Sequence, residues 1–452
     1  MSSLPTKLVA GGRPAGRHLE GMTAFGAVWL GQVFSLFGSH LTGFALGVWV
    51  YTQTRSATDF ALISFFTVLP EVALSPVAGL LVDRWDRRRV MMFGALGSGL
   101  CAAILSLLAL SGSLVVWQIY LLVAAVSAFQ SVQFPALSSS VALLVPRQHL
   151  PRANGMVAFG TSLAMVAAPL VAGLFLELIG LSRLLLIGVA TYGFAVLTLM
   201  LVRIAPAGEG AGGAAPARAS LWQEATRGWA YVRERRELLA LLLLFAVTNF
   251  TTGMVQVLLT PLVLSFTTAE VLGRIMSAGG AGVLLGSLLV SVYGGTRRRM
   301  RAIYVFTLVR GLILFLGVLQ PDPLLVGTAA FLFLFCDPLI FINSQTIWQT
   351  KIAPEVLGRA FAVRRVVGFS SMPMAYLIAG PLADRVFEPL MAAGGPLAGS
   401  LGGLVGVGPG RGVALLFIAL GALTVLSVAA GFLYRPLREL EERLPDCAPG
   451  GA

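Results

Sequence analysis

Long apolar runs separated by short polar breaks organise the whole chain. A helix crossing the ~30 Å hydrocarbon core of a bilayer needs about 20 predominantly apolar residues. Twelve runs have roughly that length, at 23–51, 58–82, 90–111, 114–143, 153–178, 184–202, 238–264, 273–295, 302–319, 323–350, 358–383 and 412–433. Backbone in lipid must satisfy its hydrogen bonds within the segment, so each run is expected to be a transmembrane helix. The even count places both termini on one side. The first run is too long for a signal-peptide core and is expected to stay as a signal anchor.

Composition sharpens this picture. Of 452 residues, 57% are hydrophobic and 12% charged, with a mean hydropathy of +0.86. An ordinary soluble domain is about 25% charged, so the chain lacks the charge to coat a water-facing surface, and a soluble multidomain enzyme is excluded. The net charge of +12 falls in bursts. The breaks on the side of the termini hold most of the basic residues, among them Arg84, Arg87, Arg88 and Arg89, then Arg297, Arg298, Arg299 and Arg301, and Arg435, Arg438 and Arg443; the opposite side holds Arg55, Arg183, Arg274, Arg385 and Arg411. The positive-inside rule then puts both termini in the cytoplasm of a bacterial inner membrane. Nucleic-acid binding needs basic charge gathered on one face, and none is expected. The three cysteines and three histidines have no metal-ligand spacing, so no metal is expected either.

The longest break on the cytoplasmic side divides the chain six and six. The expected units are a tail (1–22), an N-terminal six-helix bundle (23–202), a connector (203–237), a C-terminal bundle (238–433) and a second tail (434–452). In the connector, Trp222, Trp229 and Val232 fall at helical spacing, with Glu224, Arg227, Arg233 and Glu234 available for the other face. This predicts an amphipathic helix at the membrane surface, acting as a tether or a regulator. The bundles carry a weak internal repeat at an offset of 207, which aligns Arg152 with Arg359, Ala153 with Ala360, Gly173 with Gly380 and Gly79 with Gly286. Duplication is the expected origin.

The most specific segment is GLLVDRWDRRR, Gly79 to Arg89. It resembles the major facilitator superfamily signature Gly-x-x-x-Asp-Arg-x-Gly-Arg-Arg/Lys through Gly79, Asp83, Arg84, Arg87 and Arg88, and departs from it at Asp86. The phrases DRWDRR, GQVFSLFGSHLTGFALGVWVYTQT, LPEVALSPVAGLLVDR and GGLVGVGPGRG look like the branch of proton-coupled drug and macrolide exporters that includes enterobactin exporters. The resemblance covers nearly the whole chain. It implies an all-α membrane protein with twelve transmembrane helices in two pseudo-symmetric six-helix bundles, working by alternating access. It also implies a central cavity lined by spans 1, 4, 7 and 10, and a gate at Asp83 and Arg84. On physical grounds, Gly79 lets a neighbouring helix come close, and Asp83 at a helix end can face the positive N-terminus of another helix or an arginine. Arg87, Arg88 and Arg89 also serve as a positive-inside cluster. AMVAAPLVAG (164–173) resembles the fifth-span antiporter motif through Pro169 and Gly173, with Ala164, Ala168 and Ala172 in place of glycines. Small residues at this spacing pack helices closely and Pro bends the span, which close packing alone also explains.

Three charged residues lie centrally within the runs: Glu71, Arg310 and Asp337. A charge there costs about 2.5–3.5 kcal/mol on insertion scales and marks a functional position or a pair. Glu71 is a candidate for proton coupling or cation binding, against a structural hydrogen bond. Asp337 either couples protons or pairs with Arg310 on the preceding span. Neutral polar residues fall on the cavity spans: Gln32 and His40, Gln130 and Gln133, Asn249 and Gln256, Asn343 and Gln345. They hold helices together or orient a ligand. Phe44, Trp49, Phe134, Phe250 and Phe341 would suit a bulky amphiphile. No phosphate-binding loop of the Walker type occurs, so ATP is not the expected energy source. No catalytic cluster occupies a soluble loop, and an enzyme is not expected. The reading is a secondary transporter, monomeric in the lipid bilayer, using a proton gradient and no cofactor. It exports a small amphiphilic molecule such as a drug, a macrolide-like compound or a siderophore. The alternatives are a uniporter or lysophospholipid flippase on the same fold, and a non-transporting membrane sensor.

Overall fold

The computed structural model describes residues 21–202, 229–293, 296 and 298–446, and these residues form helices without a strand. The first half contains α1 (Gly21–Thr54), α2 (Ala57–Arg84), α3 (Arg87–Leu110), α4 (Val116–Gln130), α5 (Gln133–Leu144) and α6 (Leu150–Leu201). The second contains α7 (Arg236–Leu264), α8 (Ala269–Tyr293), α9 (Arg299–Leu316), α10 (Pro323–Lys351), α11 (Pro354–Leu382) and α12 (Arg411–Leu433). At 1.5 Å per residue, the 52 residues of α6 would reach about 78 Å, more than two bilayer cores. Gly180, at φ 77° and ψ 167°, breaks it into two crossings, a conformation open to Gly because it has no Cβ. α4 and α5 form one crossing with a turn at Ser131 and Val132. The described helices therefore make twelve crossings, including α9, which crosses despite carrying Arg299, Arg301 and Arg310.

Short polar residues start several of these helices. The Ser56 hydroxyl accepts from the Asp59 N–H at 3.1 Å, and the Asp322 carboxylate from the Leu324 N–H at 2.7 Å. Asp86 accepts from the Arg89 N–H at 2.9 Å. The residue that departs from the superfamily signature is thus the N-cap of α3, where a side-chain acceptor satisfies a free helix-end donor.

The halves touch at the end of the molecule away from the termini, here called the far end. There α6 crosses α8, and a Cβ on Gly173 would lie 2.7 Å from the Ala269 carbonyl oxygen, while one on Gly273 would strike the Pro169 carbonyl. The Ser277 hydroxyl donates to the Val166 carbonyl at 2.6 Å in the same crossing. Ala168 and Ala172 are buried in one cluster with Ala269 and Leu272 of α8. The motif Ala168, Pro169 and Gly173 therefore packs the two halves together. In the second crossing α11 meets α2, and a Cβ on Gly380 would run into the Thr58 backbone. Gly173 and Gly380, the aligned pair of the internal repeat, each carry their own half's crossing to the other.

At the opposite, terminal end, the last segment is more than a tail. Leu437 and Leu440 are buried with Val232, Leu238 and Leu241 under the second half. The Glu441 carboxylate accepts the backbone N–H groups of Arg299 and Met300, both at 3.1 Å, at the start of α9. Lys351 donates to the Glu441 carbonyl at 2.8 Å and pairs with Asp446 at 3.0 Å. Of the predicted connector helix, Trp222, Glu224 and Arg227 lie outside the described residues; 229–234 is helical, with Val232 buried and Trp229 exposed.

The glycine crossings have a measurable consequence. Gly173→Ala forces a Cβ against backbone and is expected to cost about 1–3 kcal/mol, seen as a lower melting midpoint of the detergent-solubilised protein. Gly193→Ala, which meets open space, should leave the midpoint where it is.

Candidate functional site

Beneath the far-end closure lies a cavity of about 620 Å³. Most of its wall comes from α1, α2, α4, α5 and α6; Gln256 and Thr260 of α7 and Leu272 and Met276 of α8 complete it from the other half. Six of the polar residues picked out in the sequence, Gln32, His40, Glu71, Gln130, Gln133 and Gln256, line this one space. Glu71 stands midway along α2, and no hydrogen bond or ion pair of its carboxylate occurs among the described residues. The amide nitrogens of Gln32 and Gln133 are buried and have no partner among the described residues. An unmet buried donor costs about 1–3 kcal/mol, so these two amides stand ready for an acceptor.

A hydrogen-bonded group absent from the sequence reading sits beside them. The Gln130 amide donates to the Ser39 hydroxyl at 2.6 Å and to the Tyr192 hydroxyl at 3.1 Å, and the two hydroxyls are 2.7 Å apart. It ties α1, α4 and the second arm of α6 together at the cavity wall. Ser39 and Tyr192 lie in apolar runs with no local pattern to single them out. The Tyr376 hydroxyl donates to Gln256 at 3.2 Å, joining α11 to α7. Trp29, Phe44, Phe60 and Phe134 supply aromatic wall. Trp49 and Phe250, also expected there, pack into apolar clusters instead.

A second cavity, of about 380 Å³, opens among α7, α8, α9 and α10, lined by Asn249, Arg310, Asp337 and Phe341. Here the Arg310 guanidinium bonds the Asp337 carboxylate at 2.6 Å and the Thr252 hydroxyl at 2.6 Å, and lies 4.0 Å from the centre of the Phe333 ring. The Arg310 side chain is 3% exposed and that of Asp337 38%. Of the two readings of Asp337, the pair with Arg310 is the one the geometry has. Asn343 and Gln345 do not reach either cavity. The Asn343 amide donates to the Leu339 carbonyl one turn back at 2.7 Å, and Gln345 accepts from Arg364 at 2.5 Å. Arg364 itself is buried among Phe245, Phe341, Trp348 and Phe361.

In the signature loop, Arg88 donates to the carbonyls of Leu199 and Met200 at 2.8 and 2.9 Å, closing the last turn of α6. The Arg87 Nε is buried without a partner. The side chains of Gly79, Asp83 and Arg84 lie outside the described residues.

Two helical halves meeting around a cavity lined from both are an architecture with known relatives. The family model described as Major Facilitator Superfamily matches residues 28–376. The chain belongs to that superfamily. It is therefore a multi-pass membrane transporter, and not an enzyme. It is similar to Macrolide efflux protein A of Streptococcus pyogenes, with 26% identity over 80% of this chain and 90% of the relative. It is similar as well to Multidrug efflux pump Tap of Mycobacterium tuberculosis, with 27% identity over 74% of this chain and 81% of the relative. Among solved structures, a bacterial homologue of the human lysosomal transporter Spinster, inward-facing and unoccupied, superimposes with a TM-score of 0.69 at 13% identity over 95% of this chain and 99% of its own. A D-xylose–proton symporter does so at 0.64 and 12%, over 94% of this chain and 99% of its own. Both likenesses show the fold.

The unequal burial of the ion pair ranks its variants. Asp337→Ala strands a buried guanidinium and is expected to cost the transporter about 3 kcal/mol. Arg310→Met leaves a carboxylate that water in the second cavity can reach, and should cost less. Melting midpoints of the two variants and of the double variant test the order, with the double milder than Asp337→Ala.

Proposed function

We propose that this transporter exports a small amphiphilic cation from a bacterial cytoplasm in exchange for protons, with Glu71 as the carboxylate for which proton and substrate compete. The observation that carries the reading is a mid-membrane acid with no hydrogen bond or ion pair among the described residues, within the electrostatic reach of Arg365 on α11, facing a cavity whose other polar groups are amides, hydroxyls and the His40 imidazole and whose walls include aromatic rings. An unpaired carboxylate in lipid is expensive and is retained where its charge is used. Aromatic faces and adaptable amides suit a bulky amine more than one fixed small metabolite. The relatives named for macrolide and multidrug efflux support a basic drug or macrolide-like compound as the cargo.

Asp337, neutralised by Arg310, is assigned to holding α9 and α10 together, which leaves Glu71 as the exchanging group. The basic loops support placing both termini in the cytoplasm of the bacterial cell membrane. On that orientation the far end faces outward and is closed, so the cavity stands in the loading state of an exporter. The transporter acts as a monomer in the bilayer, draws on the proton gradient and uses no cofactor.

Purified protein in liposomes, with an imposed pH gradient, a trapped pH dye and a panel of amphiphilic amines, tests this. The expected result is substrate-dependent proton flux that Glu71→Gln abolishes and Arg310→Met with Asp337→Asn retains. Substrate movement indifferent to the pH gradient would replace antiport with a uniporter or lipid flippase. Intact proton flux in Glu71→Gln would remove Glu71 from the mechanism.

A further inference from the structure

Two helix ends in this chain carry the same hexapeptide pattern in opposite orientation. α2 runs from the far end to the terminal end and finishes Gly79-Leu-Leu-Val-Asp83-Arg84; α11 runs the other way and finishes, with the residues just after it, Gly380-Pro-Leu-Ala-Asp384-Arg385. The two helices belong to different halves and cross at the far end, where Gly380 lies against the Thr58 backbone. Asp384 stands in a π-helical turn, Ala383–Phe387, directly after α11, a departure from α geometry that recurs at functional positions.

At this crossing the Asp384 carboxylate takes over the start of α2. It accepts the backbone N–H groups of Ala57 at 3.0 Å and Thr58 at 2.8 Å, and the hydroxyls of Ser56 at 3.1 Å and Thr58 at 2.7 Å. A carboxylate there meets both the free donors of the first turn and the positive end of the helix dipole. The acid comes from the other half of the molecule, so the cap is broken whenever the far end opens. At the opposite end of the pair, α11 starts at Pro354 after Ala353, an N-cap residue whose methyl side chain offers no acceptor, on the side where α2 ends in the second copy of the pattern.

We propose that Asp384 is the far-end latch of the transport cycle, the inverted counterpart of Asp83, and that the two acids alternate. Asp384 caps α2 while the far end is closed; once the terminal end has closed, the gate that the family resemblance implies at Asp83 takes its place, at the start of α11. Each half holds the other through a helix start, and each opening spends one cap and makes the other. The two open states then differ little in energy, as a carrier that must visit both requires.

The latch is tested without substrate. In a background with Cys101, Cys336 and Cys447 replaced, spin labels on Gln53→Cys and Ala393→Cys, both exposed at the far end on opposite halves, report far-end opening by electron–electron distance measurement. Asp384→Asn, which removes the charge facing the helix start and turns one of two acceptor oxygens into a donor group, should raise the ratio of open to closed far end about ten-fold. Ser56→Ala with Thr58→Val, which removes two donors and keeps the acid, should shift it in the same direction by less. Adding Asp83→Asn to Asp384→Asn should return the ratio toward that of the unmodified pair, since the other state then loses its cap too. A merely structural cap has no reason to be compensated from the opposite side of the membrane. An unchanged distance distribution in Asp384→Asn, or an Asp83→Asn effect that adds to the shift, overturns the proposal. If Asp384→Asn does not fold, the Ser56 and Thr58 variant and Asp83→Asn alone must move the ratio in opposite directions, and the proposal falls if they do not.

Discussion

Backbone-to-backbone contact between the two halves at the far end is the constraint on which the rest depends. Gly173 and Gly380 let α6 meet α8 and α11 meet α2 closely enough that a methyl group on either would strike main chain. In lipid there is little hydrophobic gain from joining helices, because tails are as apolar as leucine; close packing and polar contacts must do it. The far end has both, and a cavity of about 620 Å³ lies beneath this closure. The cavity, the exposure of Glu71 within it and the seat for Asp384 all follow from where the glycines sit.

The repeat at an offset of 207 gains meaning from the same contacts. The aligned helices α6 and α11 each have a glycine near the far end, and each sits at the joint with the opposite half. The two halves differ in chemistry. The first half keeps a mid-membrane acid without a described partner, surrounded by Gln32, His40, Gln130 and Gln133. The second half places its mid-membrane acid 2.6 Å from Arg310 and surrounds another buried cation, Arg364, with aromatic rings. One bundle therefore presents groups that can change partners, while the other has spent its charges internally.

Crossings were legible in the sequence because run length and apolarity are direct readouts of bilayer thickness, and twelve runs map onto twelve crossings. The break within α6 fell in a gap between predicted spans, where Gly180 turns. Polar residues on apolar helices were a good guide to the cavity wherever the wall left them no nearer partner. They misled at Asn343 and Gln345, whose partners were a carbonyl one turn back and an arginine on the next span. Sequence spacing does not show that such local satisfaction wins over the cavity. The packed C-terminal segment was hidden for a related reason, since short charged turns read as tail until Glu441 is seen against the start of α9.

Asp384 escaped notice because it lies one residue beyond a predicted span and reads there as a loop charge. Only the far-end crossing gives it four donors at once. Its likeness to the end of α2 was present in the sequence all along, but a six-residue pattern rich in glycine and leucine carries no weight until both copies are found on helices that touch. Once they are, antiparallel helices from opposite halves, with an acid at each C-terminal end, form a closed system: the start that one state caps is the start that the other must release. A transporter that alternates between two openings needs states of nearly equal energy. Exchanging one cap for a chemically identical one achieves this with the fewest charges placed near lipid.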